Sequence, residues 1–281
     1  MFKDILIPVD FEINTEMAVK KAIELSDETS TTIHLHHVQK PSFFTNAIFG
    51  STREHNSVLK AFVKDDTRYK LEQWKELIET NYANIKVNLS IDHSTQIQKA
   101  IVQKARDIKA DLIIIGKHSH HQWRTFLNTV SPNQVAKSTG YPVLTFKPGS
   151  LYTKIRSIVV PIGPILPQKK IDLIIVLKQK FRISIHLLTV VGKNNNEIEF
   201  PSYSFLETYR SLKQKIQCPL SHEIIHGENI AQSALQYAKN IKADILLVEP
   251  VTETKLSSFP QKHIIDELRP GSKLQILAVR S

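Results

Sequence analysis

The chain has one cysteine, Cys218, in 281 residues. A single thiol excludes an internal disulfide and cannot by itself build a metal site, so a reducing compartment is expected. Long apolar runs are missing as well. The apolar stretches are short, such as DLIII at residues 111–115, far below the ~20 residues that a membrane-spanning helix needs. The opening MFKDILIPVD has no basic segment followed by a long apolar core, so it does not read as a secretory signal. The expectation is a cytoplasmic protein with no membrane partner. Neither a G-x-S-x-G elbow nor a G-x-x-x-x-G-K-S/T loop is present, which removes two common signatures of hydrolases and nucleotide triphosphatases.

Acidic residues are the minority charge. Lys and Arg number 37 against 27 Asp and Glu, a net charge of +10, which favours anionic partners. The lysines are spread along helical segments, as at Lys20-Lys21, Lys169-Lys170, Lys213 and Lys215. No dense basic tail and no interleaving with aromatics appears, so the charge reads as solvated helix surface and nucleic acid is not the expected partner. With 41% hydrophobic and 23% charged residues, the composition is that of a folded globular chain.

What the sequence does contain is a repeat. ILIPVD at 5–10 is echoed by IVVPIG at 158–163, and IHLHHV at 33–38 by IHLLTV at 185–190. IKADLIIIG at 108–116 returns as IKADILLVE at 241–249, an offset of 133 that Pro142-Val143-Leu144 and Gln275-Ile276-Leu277 keep. The boundary falls in the turn-forming cluster Lys147-Pro148-Gly149-Ser150, giving domains at 1–148 and 153–281.

Short apolar runs predict strands at 3–9, 32–38, 111–115 and 142–146, and the alternation of Ile85, Val87, Leu89 and Ile91 predicts an edge strand. Helical stripes lie between them: Ala18, Ala22 and Leu25 behind Asn14 as N-cap, residues 59–82, Ile97, Ile101 and Ala105, and residues 129–139. The second copy repeats the pattern with strands at 155–161, 182–190, 220–225, 244–248 and 273–279. Alternating strands and helices specify an α/β fold of two tandem doubly wound parallel sheets. Ligands in such sheets collect at the carboxyl ends of the strands, where the strand order reverses.

ILIPVDF at the start, KADLIIIG before the fourth helix and PVLTF at the end of the first copy resemble the universal stress protein family. The resemblance implies an adenine nucleotide alpha hydrolase-like fold with strand order 3-2-1-4-5, and pairing through the last strand about a pseudo-twofold axis. Nucleotide-binding members carry an Asp after strand one and then G-x-x-G, nine residues, and G-S/T after strand four. On this chain Asp10 matches the aspartate beside base and ribose. Val9 and Val38 match its neighbours in the adenosine pocket. Gly116 matches the first glycine and His118 a frequent histidine. Ser119 stands for the second glycine, and Thr129, Val130 and Ser131 fall where the last Gly-Ser/Thr would be. These replacements add bulk at the phosphates, yet a helix beginning there still offers its N–H groups and dipole to an anion. Pro132 suits its first turn. In the second copy Gly163 replaces Asp10, Glu249-Pro250 replaces Gly116-Lys117, and Lys262-His263 replaces Thr129-Val130. A carboxylate and a residue without an N–H are hostile to phosphate, so that copy is expected to bind none.

The reading is a non-catalytic stress-response protein with a modified adenine-nucleotide (ATP) or anion site in the first domain. Rival readings are an interaction scaffold with an empty cleft, and an ATP-hydrolysing enzyme. Asp10 has no evident carboxylate partner for acid–base work. Histidines gather near the cleft (His36, His37, His118, His120 and His121), but their spacing fits no standard metal signature, so no metal is expected. Residues 41–49 (PSFFTNAIF) form a loop with Phe43, Phe44, Ile48 and Phe49, expected to be buried against the second half rather than to serve as a lid. Protein partners and further dimerisation of the tandem stay open.

Overall fold

The computed structural model describes residues 1–39, 53–117, 126–147, 154–163, 167–192, 203–256 and 263–280. The first copy runs β1 (Asp4–Pro8), α1 (Ile13–Leu25), β2 (Thr31–Gln39), α2 (Arg53–Asn81), β3 (Ile85–His93), α3 (Ile97–Asp107), β4 (Leu112–Gly116), a 3-10 turn (Phe126–Thr129), α4 (Pro132–Thr139) and β5 (Val143–Phe146). The second runs β6 (Ser157–Pro161), α5 (Gln168–Lys180), β7 (Ser184–Val191), α6 (Tyr203–Lys215), β8 (Leu220–His226), α7 (Ile230–Asn240), β9 (Ile245–Val248), a 3-10 turn (Ile264–Glu267) and β10 (Gln275–Ala278).

These ten strands make one sheet, ordered β3-β2-β1-β4-β5-β10-β9-β6-β7-β8. Each half therefore has the order 3-2-1-4-5, as expected. Pairing is parallel within each half, and β5 meets β10 antiparallel. The register at that seam is informative: Leu144 lies opposite Leu277, flanked by Thr145 opposite Ile276 and Val143 opposite Ala278. With an offset of 133 between copies, Leu144 faces its own counterpart. A residue that meets its equivalent marks an isologous contact, so the halves pair about a pseudo-twofold axis through Leu144 and Leu277.

Strands β1, β4, β5, β9 and β10 are buried along almost their whole length because helices cover both faces. Each face carries one core. Ile5, Ile7, Ile114 and Leu144 pack with α1, α2, α5 and α6, whereas Leu6, Ile113, Ile115 and Val143 pack with α3, α4 and α7. Both clusters draw residues from both halves, so the seam lies inside the core. Smaller details repeat too. Asp111 Oδ2 accepts the N–H groups of Lys3 and Asp4, and Asp244 Oδ2 accepts those of Arg156 and Ser157. Lys109 and Lys242, 133 apart, both take positive φ (51° and 55°) just beyond α3 and α7.

Asn14 departs from its expected role. Helix α1 starts at Ile13 with Glu12 at the N-cap position and no side-chain cap bond. Asn14 is 1% exposed, and its carboxamide has no hydrogen-bond partner among the described residues. The first turn of α1 instead crosses the end of β4, and this is what Gly116 serves. A Cβ there would stand 2.8 Å from Asn14 Cβ and 2.9 Å from its carbonyl oxygen. Gly116→Ala is expected to destabilise the fold by about 1–3 kcal/mol, the usual effect of overpacking. An unchanged urea midpoint would contradict the close approach.

Candidate functional site

Of the residues expected to form one site, Asp10, Val38 and Gly116 stand at the carboxyl ends of the neighbouring strands β1, β2 and β4. Val9 and Val38 are each 1% exposed but belong to the cores on opposite faces of the sheet. Gly116 packs on Asn14. Thr129, Val130 and Ser131 line a cavity of about 390 Å³. His118 and Ser119 lie outside the described residues, as do His120, His121 and the 41–49 loop.

Asp10, just beyond β1, organises the entry to α1. Its Oδ1 accepts hydrogen bonds from Thr15 Oγ1 at 2.8 Å and from the Glu12 N–H at 3.2 Å, while its own N–H donates to Thr15 Oγ1 at 3.1 Å. Phe11 follows at φ 61°, the left-handed region that a bulky residue rarely adopts. Its ring lies 5.0 Å from that of His37, and Lys70 Nζ stands 5.9 Å above it. His37 shares a hydrogen bond of 2.8 Å between Nδ1 and the Val9 carbonyl, and burial holds its pKa down.

His36 points to the other face. It is 0% exposed, with Nδ1 bonded to Ser90 Oγ at 3.0 Å. Its Nε2 has no hydrogen-bond partner among the described residues, and the Asp92 carboxylate is 3.7 Å away. Burial lowers its pKa to about 4. His34, on the same face of β2, pairs with Asp4 at 3.0 Å. Among the described residues no group of three or more His, Cys, Asp or Glu side chains is arranged to hold a metal ion.

The cavity sits where α4 begins. Ser131 is the N-cap, accepting the Gln134 N–H at 3.4 Å, and Pro132 takes the first turn, where its missing N–H costs nothing. Val130 is 1% exposed and contributes main chain to this corner. Lys117 Nζ donates to the Val130 carbonyl at 2.8 Å and to the Leu127 carbonyl at 3.4 Å. The lysine thus ties the end of β4 to the start of α4. Burial pushes its pKa down, opposed by the nearby Asp266, and Lys147 is shifted the same way for the same reasons.

The opposite wall belongs to the second half: Lys255, His263, Ile265 and Asp266. None of these four is among the residues that the sequence pattern assigns to the site. The repeat's own offset of 133 pointed to them, because a twofold that pairs Leu144 with Leu277 also brings the segment around Val130 toward the one around His263.

The corresponding cleft of the second half is filled by its own side chains. Glu249 Oε2 accepts the N–H groups of Val251 and Thr252, each at 2.8 Å, and the Thr252 hydroxyl at 3.0 Å. The Glu249 N–H donates to Glu253 Oε2 at 2.8 Å. Lys170 Nζ reaches the same Glu253 oxygen at 2.5 Å and the Pro161 carbonyl at 2.9 Å. Two carboxylates therefore occupy the turn after β9, each already satisfied from within.

Residues 1–147 match the model of the universal stress protein family. Among solved structures, a universal stress protein from Archaeoglobus fulgidus DSM 4304 superposes with a TM-score of 0.66 at 12% identity, covering 99% of this chain and 96% of that one. A functionally unknown protein from Pseudomonas aeruginosa PAO1 gives 0.51 at 13% identity, covering 99% and 92%. The cytoplasmic domain of a prokaryotic cation chloride cotransporter gives 0.53 at 10% identity, covering 100% and 96%. At these identities the likeness establishes the fold. No curated protein matches the chain in sequence.

Proposed function

The chain belongs to the universal stress protein family, and on that premise we propose that it is a non-catalytic stress-response protein whose first repeat alone holds an adenine nucleotide or a related phosphorylated anion. Residues 1–148 are the binding repeat and 153–281 its structural partner. The observation that carries this reading is the cavity at the start of α4, lined by Lys117, Thr129, Val130 and Ser131. At the start of α4 the N–H groups of Ser131, Gln134 and Val135 are engaged by Gln98 Oε1, Ser131 Oγ and the Ser131 carbonyl. It is therefore the positive end of the helix dipole and the Lys117 ammonium that favour an anion there. Supporting the asymmetry, Glu249 and Glu253 fill the second repeat's turn with carboxylates that repel a phosphate.

Asp10 speaks against catalysis. Its Oδ1 is engaged by Thr15 and Glu12 at the start of α1, the task of a structural group rather than of a proton-transfer group.

The test begins with the protein as purified: denature it, analyse the supernatant for released nucleotide, and measure thermal shifts with ATP and AMP. Ser131→Asp sharpens it. Aspartate caps a helix as well as serine does, so the unliganded melting temperature is expected to hold while the added charge abolishes the nucleotide-dependent shift. No released nucleotide and no shift at millimolar ATP or AMP would leave the interaction scaffold as the better description.

A further inference from the structure

We infer that the anion site is built jointly by the two repeats: the second completes the cavity with Lys255 and His263, and the ligand part that lies between them is a polyanionic phosphate chain. The inference rests on the anion site proposed above and adds who builds it and what it takes.

The cavity lies on the face of the sheet that carries α3, α4 and α7, at the seam between the halves. Segment 129–134 forms one wall, and Lys255, His263, Ile265 and Asp266 form the other. An isolated antiparallel bridge pairs Lys255 with His263, so the two basic residues stand side by side. The first repeat contributes the Lys117 ammonium and the N-terminus of α4. Asn133, 5% exposed, also lines the cavity, and none of the described hydrogen bonds engages its carboxamide. Its amide atoms still reach the cavity's solvent, so the side chain can turn to a ligand without giving up an internal hydrogen bond.

One carboxylate lines the cavity as well. Asp266 Oδ2 accepts the His263 N–H at 3.0 Å, so it is tied into its own 3-10 turn. Its charge offsets one of the two lysine ammonium groups on the walls, Lys117 and Lys255, and the net charge of the described lining residues is positive. Burial also destabilises the charged forms of Lys117 and nearby Lys147. An anion in the cavity would relieve that by supplying opposite charge at close range. At about 390 Å³ the space lies at the small end of ligand pockets, which run from ~300 to 1,000 Å³. That suits a phosphate chain better than a whole nucleotide.

Divergence between the copies gives the inference its asymmetry. Where the first repeat has Val130, the second has His263 at the same offset of 133. The repeat whose own turn is filled by Glu249 and Glu253 thus carries basic side chains at the seam, where the twofold delivers them to its neighbour.

The experiment uses the full chain and two probes, inorganic tripolyphosphate and ATP, titrated calorimetrically at low and moderate salt. The variants are Lys255→Met and His263→Asn, with exposed Lys273→Met as a control for net charge. Lys255→Met is expected to weaken tripolyphosphate and ATP alike by about tenfold, the loss of one charge-assisted hydrogen bond. His263→Asn should weaken both less, and Lys273→Met should leave both unchanged. Melting temperatures without ligand confirm that the variants fold. If the wild type binds ATP and both cavity variants bind it as tightly, the joint site is wrong and the first-repeat site stands. If tripolyphosphate binds in a Lys255-dependent way while ATP and AMP do not, the joint site stands and the adenine-nucleotide reading falls. Binding of neither probe by the wild type overturns both.

Discussion

Lys170→Met is expected to destabilise the protein by about 3–5 kcal/mol, the usual result of removing one member of a buried ion pair. Lys170 is 1% exposed and Glu253 is 4% exposed, with 2.5 Å between Nζ and Oε2. Burial pushes the Glu253 carboxyl pKa up, and the lysine beside it holds it down. Without the ammonium, the carboxyl must either stay charged in an apolar surrounding or take up a proton, and both cost stability. Glu253→Gln should also destabilise, because it strands the ammonium. The double variant Lys170→Met/Glu253→Leu should recover most of the loss, since an apolar pair of similar volume replaces buried charges at little net cost. Urea titrations of the three variants give the coupling directly. A single variant as stable as wild type would mean that the pair is not buried in solution.

Acid is expected to weaken the fold through His36 well before carboxylates titrate. In the unfolded chain this imidazole has a pKa near 6.5, and in the folded protein burial lowers it to about 4, with Asp92 opposing and Lys104 and His37 adding to the shift. The folded state therefore refuses a proton that the unfolded state accepts. Stability is complete above pH 6.5, falls by about 1.4 kcal/mol per pH unit below it, and levels off near pH 4 after a total loss of about 3 kcal/mol. His37, His186 and His222 are shifted down by burial as well, so their contributions carry the same sign. His36→Gln, which cannot titrate and retains a polar partner for Ser90, should flatten the profile. Between pH 7 and pH 5 it should lose about 2 kcal/mol less than the wild type. Parallel curves for the two proteins would exclude His36 as the source.

The repeat and the strand–helix alternation were legible in the sequence because both are written in local periodicity. Ile5, Ile7 and Ile114 sit in one core and Leu6, Ile113 and Ile115 in the other, as continuous apolar strands covered on both faces require. The start of α4 was legible too, through Ser131 and Pro132, although the segment before Ser131 is a separate 3-10 turn rather than the first turn of the helix.

The candidate site was legible only in pieces. Gly116 has the look of a phosphate-loop glycine, yet its missing Cβ makes room for Asn14, a neighbour 102 positions away in the chain. Asn14 in turn has the residue type of a cap, but its place inside the first turn of α1 is set by that crossing. Lys255 and His263 carry no motif at all. What the sequence by itself determined is the duplication, the α/β class and, to within about three residues, the start of α4, because each depends on neighbours a few residues apart. What only the tertiary structure decided is which residues share a cavity. The antiparallel seam of β5 and β10 brings together side chains more than a hundred residues apart, and no local pattern encodes that distance.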